Sequence, residues 1–140
     1  MVDMLIRLVK LALVLLLGGC MILLVFQRKL MYHPSSYSSE FAGLLEKTRI
    51  KRVEYKVANQ AQVAFYIPAA TLVEPTHLWV LFGGNAALAL NWLSLVSAYP
   101  DPDVAFLLVD YPGYGYNEGT PTLKHNMEGA NAAYAAFLKT

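Results

Sequence analysis

Cysteine is nearly absent from this chain: Cys20 is the only one in 140 residues. Intrachain disulfides and cysteine-rich metal sites are excluded at once. Charge is scarce as well. Charged residues make up 15 % of the chain and leave a formal net charge of +1. That balance offers no electrostatic case for nucleic acid. Between Leu11 and Phe26 charge is missing altogether. There is no internal repeat and no low-complexity tract. Nothing in the composition calls for a cofactor or a metal.

The uncharged stretch reads first as a membrane-crossing helix. At 1.5 Å per residue, Leu11 to Phe26 spans about 24 Å, short of a hydrocarbon core of about 30 Å. Extending the helix back to Met4 closes the gap, with Arg7 and Lys10 snorkelling toward the headgroups. The anchor is therefore placed at residues 4–30, in contact with membrane lipid. Arg28, Lys29 and the interfacial Tyr32 mark its far boundary. Three other readings compete. Arg7, Lys10 and Leu11 to Leu17 have the layout of a cleaved signal peptide. Leu17-Gly18-Gly19-Cys20 resembles a bacterial lipobox. A buried soluble helix is the fourth. The apolar run from Met21 to Phe26, beyond any cleavage near Cys20, favours the anchor. Basic residues flank both ends, so orientation stays open. Residues 31–47, with Pro34-Ser35-Ser36-Tyr37-Ser38-Ser39, read as a polar juxtamembrane linker. Residues 48–140 form the domain.

Val53, Tyr55 and Val57 alternate with charged residues, and Val63, Phe65 and Ile67 alternate again after a turn at Ala58-Asn59-Gln60. This period of two predicts an antiparallel hairpin at a sheet edge. Leu78 to Phe82 and Val104 to Val109 are continuous apolar runs, as expected of strands covered on both faces. Leu88, Trp92 and Leu95 recur between them at helical spacing, which predicts a βαβ unit. A last helix is expected with Thr120 as N-cap and Pro121 as its first residue. Its core face would carry Leu123, Met127, Ala130, Tyr134, Phe137 and Leu138. Lys139 would complement its dipole. The fold class is α/β.

Ligands of open α/β sheets bind beyond the carboxyl ends of the strands. Two loops meet that condition. Phe82-Gly83-Gly84-Asn85-Ala86 offers tight turns and a helix start that suits an oxyanion or serves as a plain turn. Asp110 to Gly119 is glycine-rich, but Gly113 and Gly115 lack a third glycine at position 118, so the dinucleotide spacing fails. Asp110 reads better as a turn-stabilising carboxylate than as a catalytic acid. His33, His77 and His125 read as juxtamembrane, strand-start and helix-surface residues.

Leu78 to Pro121 resembles the third-strand to fourth-strand region of α/β-hydrolases. The likeness is to a membrane-anchored branch with His-Gly-Asn-Ala after one strand and Asp-Tyr-Arg-Gly-Tyr-Gly-x-Ser-x-Gly-x-Pro after the next. Gly83 stands for the histidine, Pro112 for the arginine and Asn117 for the serine. Gln27 to Pro34, behind the N-terminal helix, is also similar to that branch. The resemblance implies a partial hydrolase sheet, a hairpin plus a βαβ unit behind a transmembrane helix. It implies that the loop Gly83, Gly84, Asn85 and Ala86 gives one oxyanion-hole N–H, from Asn85 or Gly84. The complete form would be a serine hydrolase of ester, thioester or amide bonds, acting on an acyl-type substrate. Its nucleophile would lie in Gly-x-Ser-x-Gly, followed by the acid and histidine. None of the six serines has those flanking glycines. No catalytic residue is assigned, and this chain by itself is expected to be an inactive N-terminal fragment. The alternative is a non-catalytic membrane protein or partner subunit. The usual strand order of the family would then leave an unpaired edge on the third strand, open to self-association.

Overall fold

The computed structural model describes every residue except Met1, Glu40, Ala42, Leu44, Glu46, Lys47, Thr48, Leu72 and Val73. Part of the expected linker 31–47 lies outside the described residues. The chain forms two units, Met1–His33 and Pro34–Thr140. The first is one helix, α1 (Val2–Met31), with no buried residue. Its 30 residues make about 45 Å at the standard rise, enough to cross a bilayer. It is the one helix among the described residues that is long and apolar enough to do so. Signal sequences and core helices of soluble proteins pass the same test.

The second unit is built on a four-stranded mixed sheet in the order β1-β2-β4-β3. Strands β1 (Lys51–Val57) and β2 (Gln60–Ile67) form the expected hairpin. Val53, Tyr55 and Val57 are buried and the charged residues between them exposed. The connecting turn is Ala58-Asn59, with φ of 48° and 65°. Two consecutive left-handed residues define the tight hairpin turn whose twist matches that of the strands. Alanine is poorly suited to that region, at a cost of about 1 kcal/mol or more. Ala58→Asn is therefore expected to stabilise the unit by about 0.5 to 1 kcal/mol, read as a higher urea midpoint at unchanged slope.

Strand β4 (Val104–Val109) is buried at every position. It lies between β2, to which it runs antiparallel, and β3 (His77–Phe82), to which it runs parallel. Its continuous apolar run has the expected meaning. That of β3 has only half of it. β3 is an edge strand, and Trp79 remains 43 % exposed. One core, with Phe65, Leu90, Phe106 and Leu108, fills one face of the sheet. The other, with Val53, Ala64, Leu107, Val109 and Ala133, fills the opposite face. Each fully buried large side chain contributes about 1.5 to 3 kcal/mol.

The helical elements depart from the sequence reading in three ways. The β3–β4 crossover is a 3-10 turn, Ala89–Trp92, followed by a short helix, α2 (Leu93–Ala98). Its buried residues are Leu88, Ala89 and Leu90, while Trp92 and Leu95 stay exposed. The last helix, α3, is Leu123–Phe137, capped by Thr122, whose hydroxyl accepts from His125 N–H at 3.0 Å. Thr120 and Pro121 thus precede the helix, and Lys139 lies past its end.

The third departure concerns which face of α3 packs. Gly129 and Ala133 are buried against the sheet, with Ala132, Ala136 and Phe137 beside them. The stripe expected to be core leaves Leu123, Met127, Tyr134 and Leu138 exposed. Small residues allow the helix backbone to approach β1 closely; a Cβ on Gly129 would already touch Val57 at 3.7 Å. Periodicity reveals an apolar stripe but not the side on which the sheet lies.

Candidate functional site

The carboxyl ends of β3 and β4 lie side by side, and the two glycine-containing loops leave from them. At the end of β3, Gly83 N–H donates to Val109 O at 3.4 Å. A Cβ on Gly83 would sit 2.5 Å from Ala87 O. Ala86 adopts a φ of 60° to turn the chain, and Ala87 N–H closes the turn on Gly84 O at 3.2 Å. Gly84, Asn85 and Ala86 are exposed.

Asp110 organises this end of the sheet. It directly follows β4 and is only 2 % exposed. One carboxylate oxygen accepts from Ala89 N–H at 2.7 Å, the other from the Tyr37 hydroxyl at 2.5 Å. The Tyr37 hydroxyl in turn accepts from Leu90 N–H at 3.1 Å. A single side chain thus pins the start of the β3–β4 crossover and, with it, the loop from Gly83 to Ala86. The sequence reading has Asp110 steadying the neighbouring turn; instead the partners of its carboxylate are 21 and 73 residues away.

The loop after β4 is spent on structure. Tyr114 N–H closes onto Tyr111 O at 2.9 Å. Asn117 accepts from Val63 N–H at 2.7 Å and donates to Asp110 O at 2.8 Å. Glu118 serves as a surrogate strand neighbour for β2, since its carboxylate accepts from Ala61 N–H and its N–H donates to Ala61 O. Tyr111 stacks on Phe82 at 6.0 Å, and the buried Tyr114 hydroxyl reaches Asn85 Oδ1 at 3.4 Å. Both contacts tie this loop to the first.

Sequence reasoning missed Tyr37. The serine-rich stretch around it reads as linker. Instead Ser35 O accepts from Gly115 N–H at 2.8 Å, and the Tyr37 ring packs on Phe41, Phe65 and Tyr116. The only signal was a lone aromatic residue among serines. Burial, then the Asp110 charge, pushes the Tyr37 and Tyr55 hydroxyls above the ordinary tyrosine range. Burial also raises the Asp110 carboxyl, against the hydrogen bonds from Tyr37 and Ala89.

His77 and His125 do not gather here. His77 starts β3 at the opposite end of the strand, where its ring meets the Thr76 hydroxyl at 3.1 Å. His125 lies in the first turn of α3, with Nδ1 3.2 Å from Thr120 O. His33 closes the helical unit. Among the described residues no three His, Cys, Asp or Glu side chains are grouped to hold a metal. Chemically, this end of the sheet offers an exposed, braced turn, and no nucleophile–base pair is seen among the described residues. No protein-family description matches the sequence, and no curated protein matches it either.

Gly83 and Gly84 differ in what they serve. The space at Gly83 is filled by Ala87 backbone, so Gly83→Ala must distort the turn. A Cβ on Gly84 meets nothing nearer than Ala87 Cβ at 3.8 Å. Gly84→Ala is expected to change stability by no more than about 0.5 kcal/mol, in the same urea titration that shows Gly83→Ala clearly destabilised.

Proposed function

We propose that this chain is the oxyanion-side half of a membrane-anchored serine hydrolase of the α/β-hydrolase type. The observation that carries the reading is the braced Gly83–Ala86 turn at the carboxyl end of β3, held through Asp110 beside the loop after β4. In the complete form a serine attacks the carbonyl of an ester, thioester or amide, and histidine carries the proton. An N–H of the turn, Asn85 or Gly84, holds the developing oxyanion with the N–H that follows the nucleophile. The turn suits that role because its geometry is set before substrate arrives. The anchor reading of α1 belongs to the same proposal; its length and exposure support it.

The nucleophile motif is not in this sequence, so the test has two arms. The coding sequence beyond codon 140 is expected to contain Gly-x-Ser-x-Gly within a few dozen codons. Its absence in all frames would sink the hydrolase reading. The 140-residue chain is expected to resist labelling by a fluorophosphonate probe. Labelling lost on changing one particular serine would show that it is active by itself. A non-catalytic partner subunit is the second reading, and the open edge of β3 favours it.

A further inference from the structure

Charge is sorted within the second unit. Residues 47–56 hold five of the seven Lys and Arg found from Pro34 onward, and one of the nine Asp and Glu, Glu54. The remainder of the unit holds two basic and eight acidic residues. The unit is therefore net acidic with one concentrated cationic stretch. Of its cations, Arg49, Lys51, Arg52 and Lys56 are described, and all four are exposed. The last three lie on β1, an edge strand bonded to β2 on one side. Among the described residues none of the four forms an ion pair; the ion pair found there joins Lys124 to Glu128 on α3.

We propose that the β1 edge docks on an anionic bilayer surface, with lipid phosphates and carboxylates meeting Arg49, Lys51, Arg52 and Lys56. Strand alternation spreads these cations over both sides of the edge. Val53, Tyr55 and Val57 pack with Ala133 of α3, so Lys51 shares the α3 face while Arg52, Glu54 and Lys56 stand on the other. On that second face Arg52, Glu54, Lys56 and Tyr116 border a hollow of about 470 Å³. The Arg52 guanidinium lies 5.3 Å from the centre of the Tyr116 ring, which stays 39 % exposed. The hollow gives headgroups a concave seat beside two cations, and Glu54 weakens it.

Three observations favour a bilayer over other occupants. Charge that merely keeps an edge strand from pairing needs no particular sign. Here the signs are separated, so an anionic surface attracts one edge and repels the rest of the unit, which fixes its orientation. The stretch also follows α1, whose last turn carries Arg28 and Lys29 of the same sign. A unit tethered by that helix stays beside lipid, where each cation brought to an anionic surface is worth about fivefold in occupancy. An exposed tyrosine beside the cations suits the headgroup region, where amphipathic aromatic rings collect. An acidic polypeptide matches the charge alone. The proposal rests on the anchor reading of α1 and uses no hydrolase chemistry.

The test places the full chain in nanodiscs that contain a headgroup-quencher lipid. Cys20→Ser is the background, and Ala61→Cys carries a thiol-linked fluorophore. Ala61 is exposed and borders the same hollow. Discs of phosphatidylcholine are compared with discs of equimolar phosphatidylcholine and phosphatidylserine. Quenching is expected to rise in the mixed discs and to fall back at high salt. A fluorophore on Ala70→Cys, exposed in a hollow with Asp101, should not respond. Arg49→Gln, Arg52→Gln and Lys56→Gln together should lower the docked-to-free ratio about 100-fold, and Glu54→Lys should raise it about 30-fold. All four positions are exposed, so the far-UV spectrum should be retained. An Ala61 fluorophore indifferent to phosphatidylserine, an equal response at Ala70, or a triple variant that docks like wild type would each overturn the proposal. Indifference to phosphatidylserine together with shielding of the Ala61 fluorophore by polyglutamate would assign the edge to an acidic polypeptide instead. Loss of the chain from phosphatidylcholine discs would overturn the anchor reading and this proposal with it. A chain that stays in those discs but ignores phosphatidylserine overturns this proposal alone.

Discussion

Asp110→Ala is expected to cost the domain about 3 kcal/mol, roughly the sum of two donors, one buried and one part-buried, left without an acceptor. Ala89 N–H loses its partner in a fully buried position and the Tyr37 hydroxyl in a part-buried one. The loss should appear as a lower urea midpoint for the full chain in detergent, followed by near-UV circular dichroism. Asp110→Asn should be milder, because its amide oxygen can still accept from Ala89 N–H. Tyr37→Phe should fall between it and wild type. The two sites share a hydrogen bond, so the double variant should lose less than the sum of the singles. Strict additivity would show that the cluster is not one unit.

The same carboxyl gives the pH dependence its sign. Burial holds it above the ordinary carboxylate range, so the native state keeps this proton longer than the unfolded chain does. Its contribution to stability is full below the unfolded value of about 4 and is lost as pH rises through the folded value. Wild type should therefore become less stable across that window, and Asp110→Asn should flatten that part of the curve. A wild-type curve that rises there instead would mean that the hydrogen bonds outweigh burial.

Gly115→Ala is expected to be comparably damaging, by about 2 to 4 kcal/mol. Gly115 has a φ of +62°, a region where alanine costs about 1 kcal/mol or more. An added Cβ would also stand 2.6 Å from both Asp110 Oδ2 and Tyr37 Cε2. The second contact is the larger part of the effect, since it must separate the pair that braces the β3 loop. Gly115→Ala in a Tyr37→Phe background should then cost less than in wild type. An equal cost in both would assign the effect to backbone strain alone.

Some of this arrangement could be read in the sequence and some could not. The hairpin was legible because Val53, Tyr55 and Val57 alternate with Glu54 and Lys56, and β4 because six apolar residues run without a break. The packed face of α3 was not, because Gly129 and Ala133 give a weaker periodic signal than Leu123, Met127 and Tyr134, which stay exposed. The two loops were located correctly at the strand ends. What braces them was invisible, since Tyr37 and Asp110 are separated by 73 residues and no local pattern links them. The polar composition around Tyr37 concealed a side chain that packs into the core.

The amides of Ala89 and Leu90 carry a consequence for measurement. They belong to a crossover turn, where amide protons ordinarily exchange with solvent in the fastest class. Here both residues are within 1 % of full burial, and their protons are held by a carboxylate and a hydroxyl instead of by a ladder. Their exchange should be as slow as that of β4 and should accelerate in Asp110→Ala while β4 stays protected. Two protons in a loop would then time the opening of the whole carboxyl end of the sheet.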